Sequence, residues 1–125
     1  MMKETEKVIN QVGGNHYERM SIQPSILFRQ VHTMTWSQEN IIKYISRYKH
    51  KNGVQDIEKA MSYAEFAIKT KWASTIKSNR RAFIDKFIYG NDFDNFQKEV
   101  IRAAVDNRYH TVLELCTKKI EELSQ

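Results

Sequence analysis

The chain is poor in the residues that staple or interrupt a fold. Of its 125 residues one is cysteine (Cys116), one is proline (Pro24) and four are glycine. A lone cysteine excludes an intramolecular disulfide and a cysteine-rich zinc site, and it suits a reducing compartment. No stretch approaches the roughly 18 consecutive apolar residues of a membrane span. The opening MMKETEKVINQ lacks the apolar core of a signal peptide. The expectation is a soluble intracellular protein that does not touch membrane. His16, His32, His50 and His110 show neither HExxH nor His-x-x-x-His spacing, so a histidine metal site has no support. The phosphate-cradling patterns GxxxxGK[ST] and GxGxxG are missing too.

What is present is charge. The formal net charge is +5, which permits nucleotides, nucleic acid or other anions as partners without choosing among them. Its distribution says more. Residues 1–75 hold 11 basic and 7 acidic side chains, and residues 76–125 hold 9 and 8. Lys43, Arg47, Lys49 and Lys51 stand together with His50 and no acid among them. This segment reads either as a solvated helix end favoured by the C-terminal dipole or as an anion site.

With so few breakers, the pattern predicts an all-α fold: an irregular N-terminal arm, a central antiparallel helix hairpin and a C-terminal group of about three short helices. Residues 1–76 form one unit in this reading and residues 77–125 a helical extension. Gly13-Gly14 marks a turn, and Ser21-Ile22-Gln23 is extended ahead of Pro24, which opens a short helix to about His32. Ser37 is the expected N-cap of the next helix, with Trp36 and Ile41 as a hydrophobic staple, and Asn52-Gly53 stops it near Lys51. At about 100° per residue, Ile41, Ile42, Tyr44, Ile45 and Tyr48 share one face, and Asn40, Lys43 and Arg47 the other.

The following helix, about Val54 to Ile76, has a core stripe of Val54, Ile57, Met61, Ala64, Ile68 and Trp72. Asp56, Lys59, Tyr63 and Phe66 lie opposite. That partly apolar second face suggests contact with another subunit, a ligand or a further helix. Asn79 and Asp92 are expected to cap the next two helices. Cys116 falls on the apolar stripe of the last one, so a buried, inert thiol is expected.

Two constellations carry possible chemistry. In Gly13-Gly14-Asn15-His16-Tyr17, glycine N–H groups can approach an anion, with a titratable ring and a stacking ring beside them; a flexible turn is the plain alternative. In the hairpin, Lys43 and Arg47 can converge on one phosphate, Asn40 can read a base edge or hydroxyl, and Tyr63 can stack on a base. Asp56 can bind a ribose hydroxyl, hold Arg47 or Lys59, or carry a metal. A structural salt-bridge lattice explains the same charges equally well on spacing alone. A metal-dependent pyrophosphohydrolase needs facing carboxylate clusters, whereas Glu39, Asp56, Glu58 and Glu65 are too few and wrongly spaced.

GGNHY, SIQP and ENIIKYISRYKHKNGVQDIEKAMSYAEFAI together resemble a small family of bacteriophage proteins, long without an assigned function, that includes a podovirus early nucleotide kinase. The similarity runs from about Gly13 to Trp72. The family pattern falls on His16, Tyr17, Ile22 and Pro24, then Asn40, Lys43, Tyr44, Arg47 and Lys51, then Asp56, Lys59, Ala60 and Tyr63. Glu39 stands where a glycine commonly precedes the asparagine. The resemblance implies a nucleotide-handling homo-oligomer in the cytoplasm of an infected host cell, with His16, Tyr17, Asn40, Lys43, Arg47, Lys51, Asp56, Lys59 and Tyr63 around the nucleotide. Its characterised relative is a kinase for dGMP or dTMP; such an activity calls for a nucleoside triphosphate with Mg²⁺. No resident metal is expected, and His16 is the candidate acid or base. The competing readings are a protein that sequesters a nucleotide or cyclic nucleotide without chemistry, and a nucleic-acid binder using the Lys43–Lys51 segment, which the modest charge and the lack of a helix-turn-helix or zinc-finger pattern disfavour.

Overall fold

The computed structural model describes residues 20–125, which form six helices: α1 (Pro24–Gln30), α2 (Trp36–Arg47), α3 (Val54–Thr70), α4 (Ser78–Gly90), α5 (Asn95–Val105) and α6 (Tyr109–Leu123). No strand occurs among the described residues, so the fold is all-α. No helix there is long and apolar enough to cross a membrane. His16, Tyr17 and the paired glycines lie outside the described residues.

Four helices close a ring: α2 packs on α3, α3 on α6, α6 on α5, and α5 back on α2; α1 and α4 pack together and fill the side next to α2 and α5. One apolar core runs through all of them, from Leu27 through Ile41, Ile45 and Ile57 to Phe87, Ile101 and Val112. The C-terminal helices therefore complete the core that α2 and α3 begin. Cys116 sits in it with no exposure, and burial pushes its thiol up to about 12. It has the character of a small apolar residue, as expected.

The helix ends differ from the sequence reading in instructive ways. The N-cap of α2 is Thr35, not Ser37; Thr35 Oγ1 accepts from the Gln38 N–H and Gln38 Oε1 accepts from the Thr35 N–H. Ser37 is buried inside the first turn, and Trp36, the first helical residue, is 53% exposed and no staple. In the same way α5 is capped by Asp94 with Gln97, not by Asp92. Lys77, not Asn79, precedes α4. The polar residue three positions before a glutamine wins in both boxes because each partner satisfies an orphan N–H of the other.

Both glutamines do a second job. Gln38 Nε2 donates to the carbonyls of Ala104 (3.0 Å) and Val105 (3.3 Å) at the end of α5. Gln97 Nε2 donates to those of Ile45 (3.0 Å) and Ser46 (3.4 Å) near the end of α2. The two helices thus run antiparallel, each supplying at its N-terminus a donor for the other's C-terminal carbonyls. Asp94 adds a third tie, accepting from the Tyr48 hydroxyl at 2.7 Å and pairing with Lys49 at 3.1 Å.

Burial alone would raise the Asp94 carboxyl, but the Gln97 N–H, the Tyr48 hydroxyl and Lys49 outweigh it and hold the group below the ordinary aspartate range. A lowered folded pKa means that the stabilisation is present above the unfolded value and is lost as pH falls through the folded one. Asp94→Ala is expected to lose about 1–2 kcal/mol in urea titrations at neutral pH. The gap from the wild type should close on acidification; a gap that stays constant into strong acid would show that the carboxylate charge is not its source.

Helix α3 ends at Thr70, short of Ile76, because Lys71 turns into the left-handed region (φ 57°) and its N–H closes on the Ile68 carbonyl. Trp72 is thereby turned out of the helix to 58% exposure, off the stripe expected to hold it. The stripe that is fully buried is Ile57, Ala60, Ala64 and Ala67, with Met61 and Ile68 partly buried at its edges. Three alanines let α2 and α6 pack close to this helix. The loop after it is pinned by Asn107, whose side chain accepts from the Ser74 N–H and donates to the Ser74 carbonyl.

Candidate functional site

The hairpin register follows from its contacts. Trp36 meets Tyr63 and Phe66, Tyr44 stacks on Tyr63, and Arg47 reaches Asp56, so early residues of α2 face late residues of α3. Gly53, at φ 55°, precedes α3 and closes the intervening turn through its N–H to the Tyr48 carbonyl. Asn52-Gly53, expected to cap the end of α2, instead leads into α3: the C-cap of α2 is Tyr48, and Gly53 is the N-cap of α3. The helix itself stops at Arg47, four residues before Lys51, the expected end.

Arg47 and Asp56 form the anchor of the site. Nε donates to Oδ2 and Nη2 to Oδ1, each at 3.2 Å, and the Asn52 N–H adds a further 3.2 Å contact to Oδ2. The Asp56 side chain has no exposure and that of Arg47 only 16%. Asp56 was expected on the outer face beside Lys59 and Tyr63, but it is buried because the incoming arginine and the turn's N–H satisfy both its oxygens. Of the roles open to it on sequence, the structure realises the holding of Arg47.

Above this pair stands Tyr44. Its ring has Arg47 Cζ at 4.9 Å, Lys43 Nζ at 5.1 Å and Lys59 Nζ at 5.2 Å from its centroid. Three cations thus gather round one half-buried ring, a favourable arrangement for each with its quadrupole. Helical periodicity places Tyr44 on the core face and misses its place among the cations, since a half-buried aromatic satisfies either face. Tyr63 lies nearly parallel to it, 5.9 Å away with an interplanar angle of 13°. Burial, then the neighbouring Tyr44, raises the pKa of the Tyr63 hydroxyl.

The aromatic line continues outward. Trp36 meets Tyr63 edge-on at 4.9 Å and Phe66 at 5.5 Å, and both Trp36 and Phe66 (40%) are exposed. Asn40 donates back to the Trp36 carbonyl at 2.9 Å. Glu39, in the first turn of α2, is partly buried, which raises its carboxyl pKa.

The structure therefore brings Lys43, Arg47, Lys59, Asp56 and Tyr63 together round Tyr44. It does not extend this cluster along the whole basic segment. Lys49 is drawn to Asp94 on the α5 side, and Lys51 is exposed in the turn, joined to the cluster by no ion pair or ring contact among the described residues. The +4 excess of that segment is thus divided between two faces. Among the described residues no group of three His, Cys, Asp or Glu side chains is placed to hold a metal ion.

Residues 12–65, which include the GGNHY segment and most of the hairpin, match the family model described as protein of unknown function (DUF3310). That family is uncharacterised and its description names no activity; α4, α5 and α6 lie beyond the matched residues. No curated protein and no solved structure matches the chain.

Proposed function

We propose that this protein binds a nucleotide on the α2–α3 hairpin, and that its activity is phosphoryl transfer to a deoxynucleoside monophosphate. The observation that carries the reading is the convergence of Lys43, Arg47 and Lys59 within 4.9–5.2 Å of the Tyr44 ring centroid, with the Asp56 carboxylate bound to Arg47. Arg47 is oriented by Asp56, and Lys43 and Lys59 supply point charges for phosphate oxygens. The exposed faces of Trp36 and Phe66 lie along the same hairpin, where a base can stack. Asn40 keeps its carbonyl oxygen to accept from a base edge or sugar hydroxyl, and the resemblance adds His16 and Tyr17 as further contacts.

In this reading the cations stabilise charge on the phosphoryl group and the site contributes chiefly by alignment. A nucleoside triphosphate with Mg²⁺ is the proposed donor, the metal arriving with its phosphates. The burial of Asp56 in its ion pair favours a second reading, in which the hairpin sequesters a nucleotide without chemistry.

The double variant Lys43→Ala/Lys59→Ala tests both while sparing the buried ion pair. Calorimetric titration with deoxynucleoside monophosphates should show affinity reduced by about 10- to 100-fold. Unchanged affinity would remove the site from both readings. Incubating wild-type protein with each monophosphate, a labelled triphosphate and Mg²⁺ separates them: labelled diphosphate supports the kinase, whereas tight binding with recovery of unmodified nucleotide supports sequestration.

A further inference from the structure

The outer seam between α5 and α6 holds a depression of about 520 Å³ and a second of about 220 Å³, and the two meet at Glu99 and Leu115. Together they make one groove following α6 from Arg108 to Glu122, about 20 Å at the helical rise. Its apolar surface comes from Tyr89, Phe96 and Leu115, and Tyr89 is 63% exposed.

Positive charge dominates the rim. Arg102 is paired with Asp85, and Lys119 lies 3.8 Å from Glu122. Lys98, Arg108 and Lys118 make no ion pair among the described residues, and Lys98 reaches only the Tyr89 ring, 5.8 Å from its centroid. Against these three cations stands the carboxylate of Glu99, at the junction of the two depressions.

We propose that this groove is a docking site for an acidic amphipathic helix of a partner protein. An apolar trough with a cationic rim suits a helix that lays residues at i, i+3/i+4 and i+7 into it and places carboxylates over Lys98, Arg108 and Lys118. Glu99 selects against a nucleic-acid strand, whose evenly spaced phosphates would meet that carboxylate midway, whereas a peptide can place a neutral residue there. The excess of cations likewise disfavours a second copy of this positively charged chain.

The test uses the full chain and a fluorescein-labelled 16-residue helical peptide with leucine on one face and glutamate on its flanks, alongside the same peptide with glutamine for glutamate and a labelled oligothymidine. Fluorescence anisotropy should show saturable binding of the glutamate peptide, weakened at least about tenfold by Lys98→Glu/Arg108→Glu and unaffected by Lys43→Ala/Lys59→Ala. Lys118→Glu, at an exposed position, should weaken it in the same direction and serves if the double variant is misfolded by circular dichroism. The proposal is overturned if the glutamate peptide does not bind, if the glutamine peptide or the oligothymidine binds as tightly, if groove variants leave binding unchanged, or if sedimentation shows the groove closed by self-association.

Discussion

Replacing Asp56 by alanine is expected to lower the free energy of unfolding by about 3–5 kcal/mol, the scale of breaking a buried ion pair from one side. The carboxylate has no exposure and accepts three hydrogen bonds, two from Arg47 and one from the Asn52 N–H. Its loss removes the group that Nε and Nη2 of Arg47 address, while desolvation of the largely buried arginine persists. It also withdraws the acceptor that holds the turn between α2 and α3. Urea titration should show a lower midpoint with the slope preserved. A loss below about 1 kcal/mol, the range of exposed pairs, would contradict the burial of this one.

The same substitution bears on the site. Arg47 has two duties, since its Cζ also lies 4.9 Å from the Tyr44 centroid. An arginine released from Asp56 remains on α2 but loses the orientation that aligns it with Lys43 and Lys59. Under the proposed function, nucleotide affinity therefore falls in Asp56→Ala even under conditions where the variant is fully folded, although Asp56 itself is too buried to touch the ligand. Under that proposal, one carboxylate serves both the binding site and the stability of the hairpin.

How much of this was legible in the sequence depends on the range of the interaction. The all-α class and the apolar stripes of α2 and α6 are local, written in spacing at the helical period. The glycine turn before α3 is local too, and Gly53 takes a positive φ there. The caps were legible in principle: Thr35-x-x-Gln38 and Asp94-x-x-Gln97 are the same pattern. Ser37 and Asp92 are single polar residues near an apolar run, and a reciprocal pair is physically stronger than either alone.

Other features exist only after packing. The burial of Asp56 depends on an arginine nine positions earlier that crosses the hairpin, and an amphipathic reading of α3 alone puts a carboxylate in solvent. The break at Lys71 carries no glycine or proline to announce it; Asn107, far along the chain, pins the following loop. The basic segment looked like one patch because the chain is linear, but α2 is a cylinder and ends at Arg47. Lys43 and Arg47 therefore project toward α3, while Lys49 turns to Asp94.

The glutamines that join α2 to α5 yield the other large effect. Gln97→Leu keeps much of the volume of a side chain that is 2% exposed, yet it removes the acceptor for the Asp94 N–H and the donor for the Ile45 and Ser46 carbonyls. Leaving buried groups without partners costs about 1–3 kcal/mol each, so a total near 2–4 kcal/mol is expected by urea titration at neutral pH. Gln97→Glu separates this polar cause from packing. Its carboxylate would face two carbonyl oxygens and would be costly when ionised, but once protonated it can donate to one of them. Its folded pKa is therefore raised, and stability should be greatest below the unfolded glutamate value and should fall as pH rises through the raised one. The trend is opposite to that of Asp94, whose contribution disappears on acidification. A pH-independent deficit in Gln97→Glu would mean that the side chain swings to solvent and that α5 does not depend on this donor. Gln38→Glu should repeat the pattern at the other end, because Gln38 is equally buried and faces the Ala104 and Val105 carbonyls. The family-matched segment ends at residue 65, so Gln38 lies inside it and Gln97 beyond it. The stability of the matched hairpin is thereby coupled to a helix the match does not include, and loss of α5 would take from α2 one of its packing partners and the donor for its C-terminal carbonyls.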